Sequence, residues 1–432
     1  MRLLLIILMA MLSLPFVNGQ TREEIREFFE EGEYFFSRGD YQEAAYYYRK
    51  VIDKYPDNPN YNFKLGECYL NIPGNEILAI PYFEKAAEKI VAKNKYRRKD
   101  IEETNAPLHA LFYLGNVYRM NNQLDDALKV YVTFVNSPYY IGNYNETIVD
   151  NEIKACERAK IIKDSPIDIT EQVLDSVVKT TGSELNPVVS ADGNFIVFTR
   201  RLKFYDAILF CEKQDQSWSP PMNLNPLIGS DGDLYPTCLS PDGTALYLVK
   251  KNAQNNDIYV AYRTGSAWSK AEKLNKYINT KADEQSAWIS SDGQTLWFVS
   301  SRRGGYGGTD IYFSRLDKNK NWGKAHNPGK TINTALDEES PCLTGRDNIL
   351  FFSSKGHDSM GGFDIFYSEI QAGNWSKPVN LGFPVNNTSD NTGYIALNEG
   401  KTGYLSKINP ADRSTAEDIF RIAIRSNLPA KK

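Results

Sequence analysis

Hydrophobic and polar positions follow two different periods along the chain, and the change falls near residue 165. Between about residues 21 and 162, apolar side chains recur every three to four positions, the spacing of amphipathic helices. The same segment repeats itself at a longer interval. One copy reads Phe28, Gly32, Phe35, Ala44, Tyr48 and Pro56. A second reads Leu65, Gly66 and Tyr69 and then, after one inserted residue, Ala79, Phe83 and Ala86. A third reads Leu111, Leu114, Gly115, Tyr118, Ala127 and Tyr131. Gly32 and Gly66 stand about 34 positions apart, one period of a helix-pair repeat. Small residues let paired helices approach, and aromatics fill the space between them. The charged stretch from Lys93 to Ala106 lengthens the next step, and residues 145–162 read as a helix capping the stack.

Beyond Lys163-Asp164-Ser165-Pro166 the period becomes two, with short strands between Asp-Gly, Asn and Gly turns. Strand-turn pieces recur at Pro187 to Gly193, Pro236 to Gly243 and Ser286 to Gly293, with degenerate copies at Pro341 to Asp347 and Gly393 to Gly400. A further strand starts at Asp206, Asp257, Asp310, Asp364 and Asp418, and a fourth at Trp218, Trp268, Trp322 and Trp375. A four-strand unit of about 50 residues is a propeller blade. The fifth unit ends without its fourth strand, while Ile167 to Gly182 precedes the first. That segment is expected to complete the last blade, so that no sheet edge stays open.

The fold class expected is therefore α + β multidomain: a helical solenoid followed by a five-bladed β-propeller, with six blades as the alternative. The divisions are 1–19 as a signal peptide, 20–162 as the helical array with its cap, 163–166 as linker and 167–432 as propeller.

The helix-pair spacing is that of tetratricopeptide repeats (TPR). The segments Phe298-Val-Ser-Ser-Arg-Arg-Gly-Gly-Tyr-Gly-Gly-Thr-Asp-Ile-Tyr312, Met360-Gly-Gly-Phe-Asp-Ile-Phe366 and Trp375-Ser-Lys-Pro-Val-Asn-Leu-Gly382 resemble the WD40-like, TolB-type repeats of Bacteroidetes envelope proteins. A TPR array ahead of such repeats is similar to the PorE-like proteins associated with type IX secretion. The resemblance implies a periplasmic role in holding protein partners. PorE-like proteins continue into a carboxypeptidase-regulatory-like domain and an OmpA-like domain, and typically carry a lipid anchor. This sequence ends at the propeller repeats, so peptidoglycan anchoring is not implied.

Composition narrows the partners. The net charge of −4, from 50 bases and 54 acids, gives no basic face for nucleic acid. Met1-Arg2, the apolar run from Leu3 to Leu14 and the Val17-Asn18-Gly19 site read as a secretory signal, with a mature start at Gln20 and no nearby Cys for lipidation. No later run is long enough to span a membrane. A soluble periplasmic protein is expected, at most peripherally associated with the outer membrane. Five cysteines without paired spacing argue for buried thiols.

No catalytic residue, metal site, cofactor or small-molecule substrate is expected. His109, His326 and His357 are scattered, and neither a nucleophile elbow nor a phosphate-cradling loop appears. The expected binding surface is the inner groove of the helical array, lined by Phe29, Phe63 and Phe112, with Glu33, Glu67 and Asn116 four positions on and Arg119 beyond. Whether those rings face solvent or are covered stays open from sequence. On the propeller rim, Arg302, Arg303 and Tyr306 form the rival docking surface, although the acids and bases there also read as blade-locking pairs. The function expected is a protein-interaction scaffold or adaptor for envelope proteins or peptides. The alternative is a glycan- or peptidoglycan-fragment-binding module using Tyr306 and Trp268.

Overall fold

The computed structural model describes residues 22–425 apart from 176, 181, 216, 253 and 410–415. The expected signal segment lies outside the described residues. The chain divides into two compact units, Met1–Cys156 and Glu157–Lys432.

The first unit stacks helix pairs: α1 (22–37) with α2 (Tyr41–Ile52), α3 (Pro59–Leu70) with α4 (Ile80–Ala87), and α5 (Ala110–Met120) with α6 (Leu124–Val135). A last helix, α7 (Glu146–Lys163), runs across the division between units. Local sequence sets the helix starts. The Asp40 carboxylate accepts from Glu43 N–H ahead of α2, and Asn58 Oδ1 accepts from Asn60 and Tyr61 N–H ahead of Pro59. The repeat glycines allow the close approach within each pair. A Cβ at Gly32 would lie 2.7 Å from the Tyr48 ring and one at Gly66 2.8 Å from the Phe83 ring, with Tyr131 filling the same place against Gly115. Tyr48, Phe83 and Tyr131 are fully buried there. Between α4 and α5, Ile90–Val91 pairs in parallel with Ala106–Pro107, which clasps the charged insertion at its base.

The second unit is a five-bladed propeller. The three inner strands of the blades are Glu184–Val189, Phe195–Arg201 and Asp206–Gln214; Leu234–Leu239, Ala245–Lys250 and Asp257–Thr264; Glu284–Ile289, Thr295–Ser300 and Asp310–Arg315; Glu338–Leu343, Ile349–Ser354 and Asp364–Gln371; and Ile395–Leu397, Thr402–Ile408 and Glu417–Ile424. Every neighbouring pair is antiparallel. In the fourth blade the second strand, Ile349–Ser354, is buried at every position.

Ring closure follows the expectation from sequence. Ile169–Val173 pairs antiparallel with Glu417–Ile424, Val173 opposite Phe420 and Ile169 opposite Ile424, and so supplies the outer strand of the last blade.

The outer strands are interrupted rather than continuous. Ser217–Trp218, Ala267–Trp268 and Asn374–Trp375 pair only with the ends of their third strands. Met222–Asn223, Glu272–Lys273 and Val379–Asn380 then resume the pairing. The serine after each Trp explains the break. Its hydroxyl accepts the N–H of Glu212, Tyr262 or Glu369 in place of a ladder carbonyl. In the third blade Gly323 replaces that serine, and the outer strand shrinks to two bridges, Phe313 to His326 and Leu316 to Trp322.

The connection leaving each of the first four blades is tied back to that blade's third strand by a repeated amide. Asn225, Asn279, Asn333 and Asn386 each accept a backbone N–H, from Ile208, Ile258, Ile311 and Ile365, and donate to a carbonyl of the same strand. These buried amides satisfy donor and acceptor at once, which is what their burial demands.

Candidate functional site

The phenylalanines expected to line an open groove are packed instead. Phe29 is 2% exposed and meets the Tyr48 and Tyr61 rings; Phe63 is fully buried among Phe83, Tyr96, Tyr113 and His109. Phe112 is half-buried against Tyr131 and Phe134. Arg119 is buried as well, its Nε 2.9 Å from Glu152 of α7. These residues are therefore covered within the chain rather than open as an apolar binding stripe. The helical period gives the face on which a residue stands but not what covers it. The cover includes Tyr96 of the insertion and Glu152 of the last helix, neither of which belongs to the repeat.

The polar positions on that face form a connected network. Glu33 accepts from the Tyr48 hydroxyl and pairs with the Lys64 ammonium, which has no solvent exposure. At the equivalent place in the third pair, Tyr131 donates to Asn116 Oδ1 at 2.6 Å. In the second pair the helix-packing ring is Phe83, which has no hydroxyl, so Glu67 takes another partner. Arg98 of the insertion supplies it. Its Nη1 lies 2.7 Å from Glu67 Oε2, its Nε lies 3.8 Å from Glu33, and its guanidinium sits 4.3 Å over the Phe36 ring. Tyr96 donates to Asn60 Oδ1 at 2.7 Å, and Tyr61 donates to the Ile101 carbonyl at 2.6 Å. Burial pushes the Lys64 ammonium down to about 8, against the opposing pull of Glu33, and pushes the Glu67 carboxyl up.

On the propeller, Arg302 is also engaged rather than free for docking. Its guanidinium donates to the Ile278 carbonyl at 2.6 Å and to Glu284 at 3.2 Å. Arg200 does the same with the Val178 carbonyl and Glu184. In the fourth blade His357 takes the corresponding carbonyl, Ile332, at 2.8 Å, and Glu338 is held by Thr334 and Ser354. With no guanidinium beside it, burial raises Glu338 to about 7; burial likewise raises its neighbour Glu339 to about 7. These acid and base pairs lock the first and second strands of single blades.

Arg303 is exposed and Tyr306 is 44% exposed, under the Lys330 ammonium. Trp268, offered for ring stacking, is buried edge-on to Phe210. The glycines of the Gly-Gly-x-Asp segments serve close packing. A Cβ at Gly307 would overlap the Leu336 carbonyl and one at Gly362 the Asp390 carboxylate, while Asp310 accepts from Tyr306 and Gly307 N–H.

A cavity of about 200 Å³ opens where the five first strands end, with Trp288, Ser291, Thr344, Asp347 and Asn398 in its wall. Another, of about 220 Å³, lies beside the shortened outer strand of the third blade, against Phe313, Arg315, Lys324 and His326. Among the described residues, no three His, Cys, Asp or Glu side chains come together as a metal site, and no helix is long and apolar enough to cross a membrane. All five cysteines are buried and unbridged.

Comparison with known proteins matches the helical unit and the propeller separately. Residues 29–95 match the tetratricopeptide repeat family. No curated protein matches the chain. Among solved structures, TolB from Acinetobacter baumannii is 17% identical over 58% of this chain, with a TM-score of 0.37. The match spans 56% of that TolB chain. An α-L-arabinofuranosidase from Lactobacillus brevis is 12% identical over 59% of this chain and 94% of its own, with a TM-score of 0.41. The first TPR domain of human RPAP3 is 21% identical over 32% of this chain and 92% of its own, with a TM-score of 0.24. The chain thus combines a helical array, of which residues 29–95 match the tetratricopeptide repeat family, with a five-bladed propeller.

Proposed function

We propose that this chain is an exported, non-catalytic interaction scaffold of a Gram-negative envelope, holding envelope proteins or peptides. The observation that carries the reading is the construction of both units from stacked repeats, the architecture that offers extended surfaces to macromolecular partners. In this reading residues 20–162 act as the helical array and 167–432 as the propeller. The basic and apolar start with its Val17-x-Gly19 site supports export to the periplasm. The Gly-Gly-x-Asp-Ile segments support a place in an outer-membrane-associated assembly such as type IX secretion. Arg303 and Tyr306, exposed on the propeller, are the contact points.

Crosslinking of the full chain in native envelopes, read by mass spectrometry, should recover defined protein partners and a mature N-terminus at Gln20. Recovery of glycan fragments in place of proteins, or an uncleaved start at Met1, would overturn the proposal.

A further inference from the structure

We infer that the inner face of α1 and α3 is a receptor for a short turn-forming segment carrying an aromatic residue and, two positions later, an arginine, and that residues 93–105 occupy it as an intrachain ligand. The inference rests on the interaction reading above and adds the partner's chemistry. Three observations carry it. First, the repeat leaves Glu67 without the hydroxyl that serves its counterparts: Tyr48 donates to Glu33 and Tyr131 to Asn116, but Phe83 donates nothing. A half-buried to buried carboxylate in that position calls for a cation from outside the helix pair, because an unpaired buried charge is costly.

Second, the insertion meets this face through alternating side chains set on a backbone of short turns, with Lys95 and Tyr96 N–H bonded to the Ala92 carbonyl, Asp100 N–H to that of Arg97 and Glu103 N–H to that of Asp100. Lys95, Arg97 and Lys99 point to solvent, while Tyr96, Arg98 and Ile101 are half-buried. Tyr96 packs edge-on to Phe63 and bonds Asn60, Arg98 sits between Glu67 and the Phe36 ring, and the Ile101 carbonyl accepts from Tyr61. An aromatic pocket followed by an acid-lined pocket is the arrangement by which a groove reads a short peptide.

Third, the fit is incomplete. Asn60 Nδ2 and Arg98 Nη2 are buried and have no hydrogen-bond partner among the described residues. A partner segment that also offers a carbonyl to Asn60 would outcompete the intrachain one, since an unsatisfied buried donor weighs against the occupied state. The two-residue ladder at the base, Ile90–Val91 with Ala106–Pro107, would hold the displaced loop at its ends.

The test uses the full chain and a labelled synthetic peptide of residues 93–103, Lys-Asn-Lys-Tyr-Arg-Arg-Lys-Asp-Ile-Glu-Glu. The wild type should show no saturable binding, because its own loop is in place. A Tyr96→Ala/Arg98→Ala double variant that keeps the wild-type helical signal should bind the peptide. Adding Glu67→Gln, or replacing the peptide's second arginine by alanine, should then weaken binding by about tenfold or more. A folded double variant that fails to bind overturns the inference.

Should the double variant not fold, hydrogen exchange on the wild type decides. The bonded amides of Lys95, Tyr96, Asp100 and Glu103 should exchange well ahead of those in α3 and α5. Exchange at the same rate as those helices would make the insertion fixed core and overturn the inference. If the peptide fails while envelope crosslinking still recovers partners, this inference alone falls.

Discussion

Glycine at one register of each helix pair decides how the first unit packs. Gly66 faces the Phe83 ring so closely that even a methyl group needs the ring to move. Gly66→Ala should therefore cost about 1–3 kcal/mol by overpacking, although alanine is the better helix former. A fall in the helical melting transition checks this. Gly345→Ala, in a propeller position with nothing near the added carbon, should stay within about 0.5 kcal/mol of wild type. The glycine and aromatic partners were legible in the sequence because they recur at one spacing. The burial of Phe29 and Phe63 was not, because Tyr61 and Tyr96 cover them from positions that carry no repeat signal.

At the scale of elements, the propeller depends on a strand borrowed from the other end of its sequence. A fragment of residues 165–425 should fold, since Ile167 N–H bonds the Phe383 carbonyl and Ile169–Val173 completes the last blade. A fragment of residues 184–425 leaves Glu417–Ile424 as an open edge and should melt lower or associate. Equal melting temperatures would show that the closing strand adds nothing. The blade count and this closure could be read from the recurring Asp and Trp positions. The splitting of the outer strands could not, because it depends on a serine hydroxyl replacing a backbone acceptor. Three bends in the inner strands were equally hidden. Asn186, Ser286 and Ser340 adopt φ of 50°, 31° and 51° at register shifts, a conformation that sequence assigns to glycine by default.

At the scale of the molecule, His109 in one unit and the Glu338–Glu339 pair in the other should answer acid in opposite directions. Burial among aromatic rings holds His109 at about 4, below its ordinary 6.5, so the unfolded chain takes up the proton first. The contribution of His109 to the helical unit is lost as pH falls from about 6.5 to about 4. Glu338 and Glu339 hold their protons up to about 7 in the folded propeller, whereas the unfolded chain releases them near 4.5. That contribution is present below about 4.5 and is lost as pH rises to about 7. All six tryptophans lie in the propeller, so their fluorescence follows it alone while the far-ultraviolet helical signal follows the other unit. His109→Gln should flatten the first trend and Glu339→Gln the second; unchanged slopes would refute the assignment. The closing strand also sets a schedule. Ile169–Val173 leaves the ribosome roughly 250 residues before the strand it must pair with. At ~5–20 residues per second, it waits on the order of ten seconds to a minute for that partner. The propeller is thus a fold that cannot finish until its last blade exists, and its first strand must be kept from other sheet edges throughout that interval.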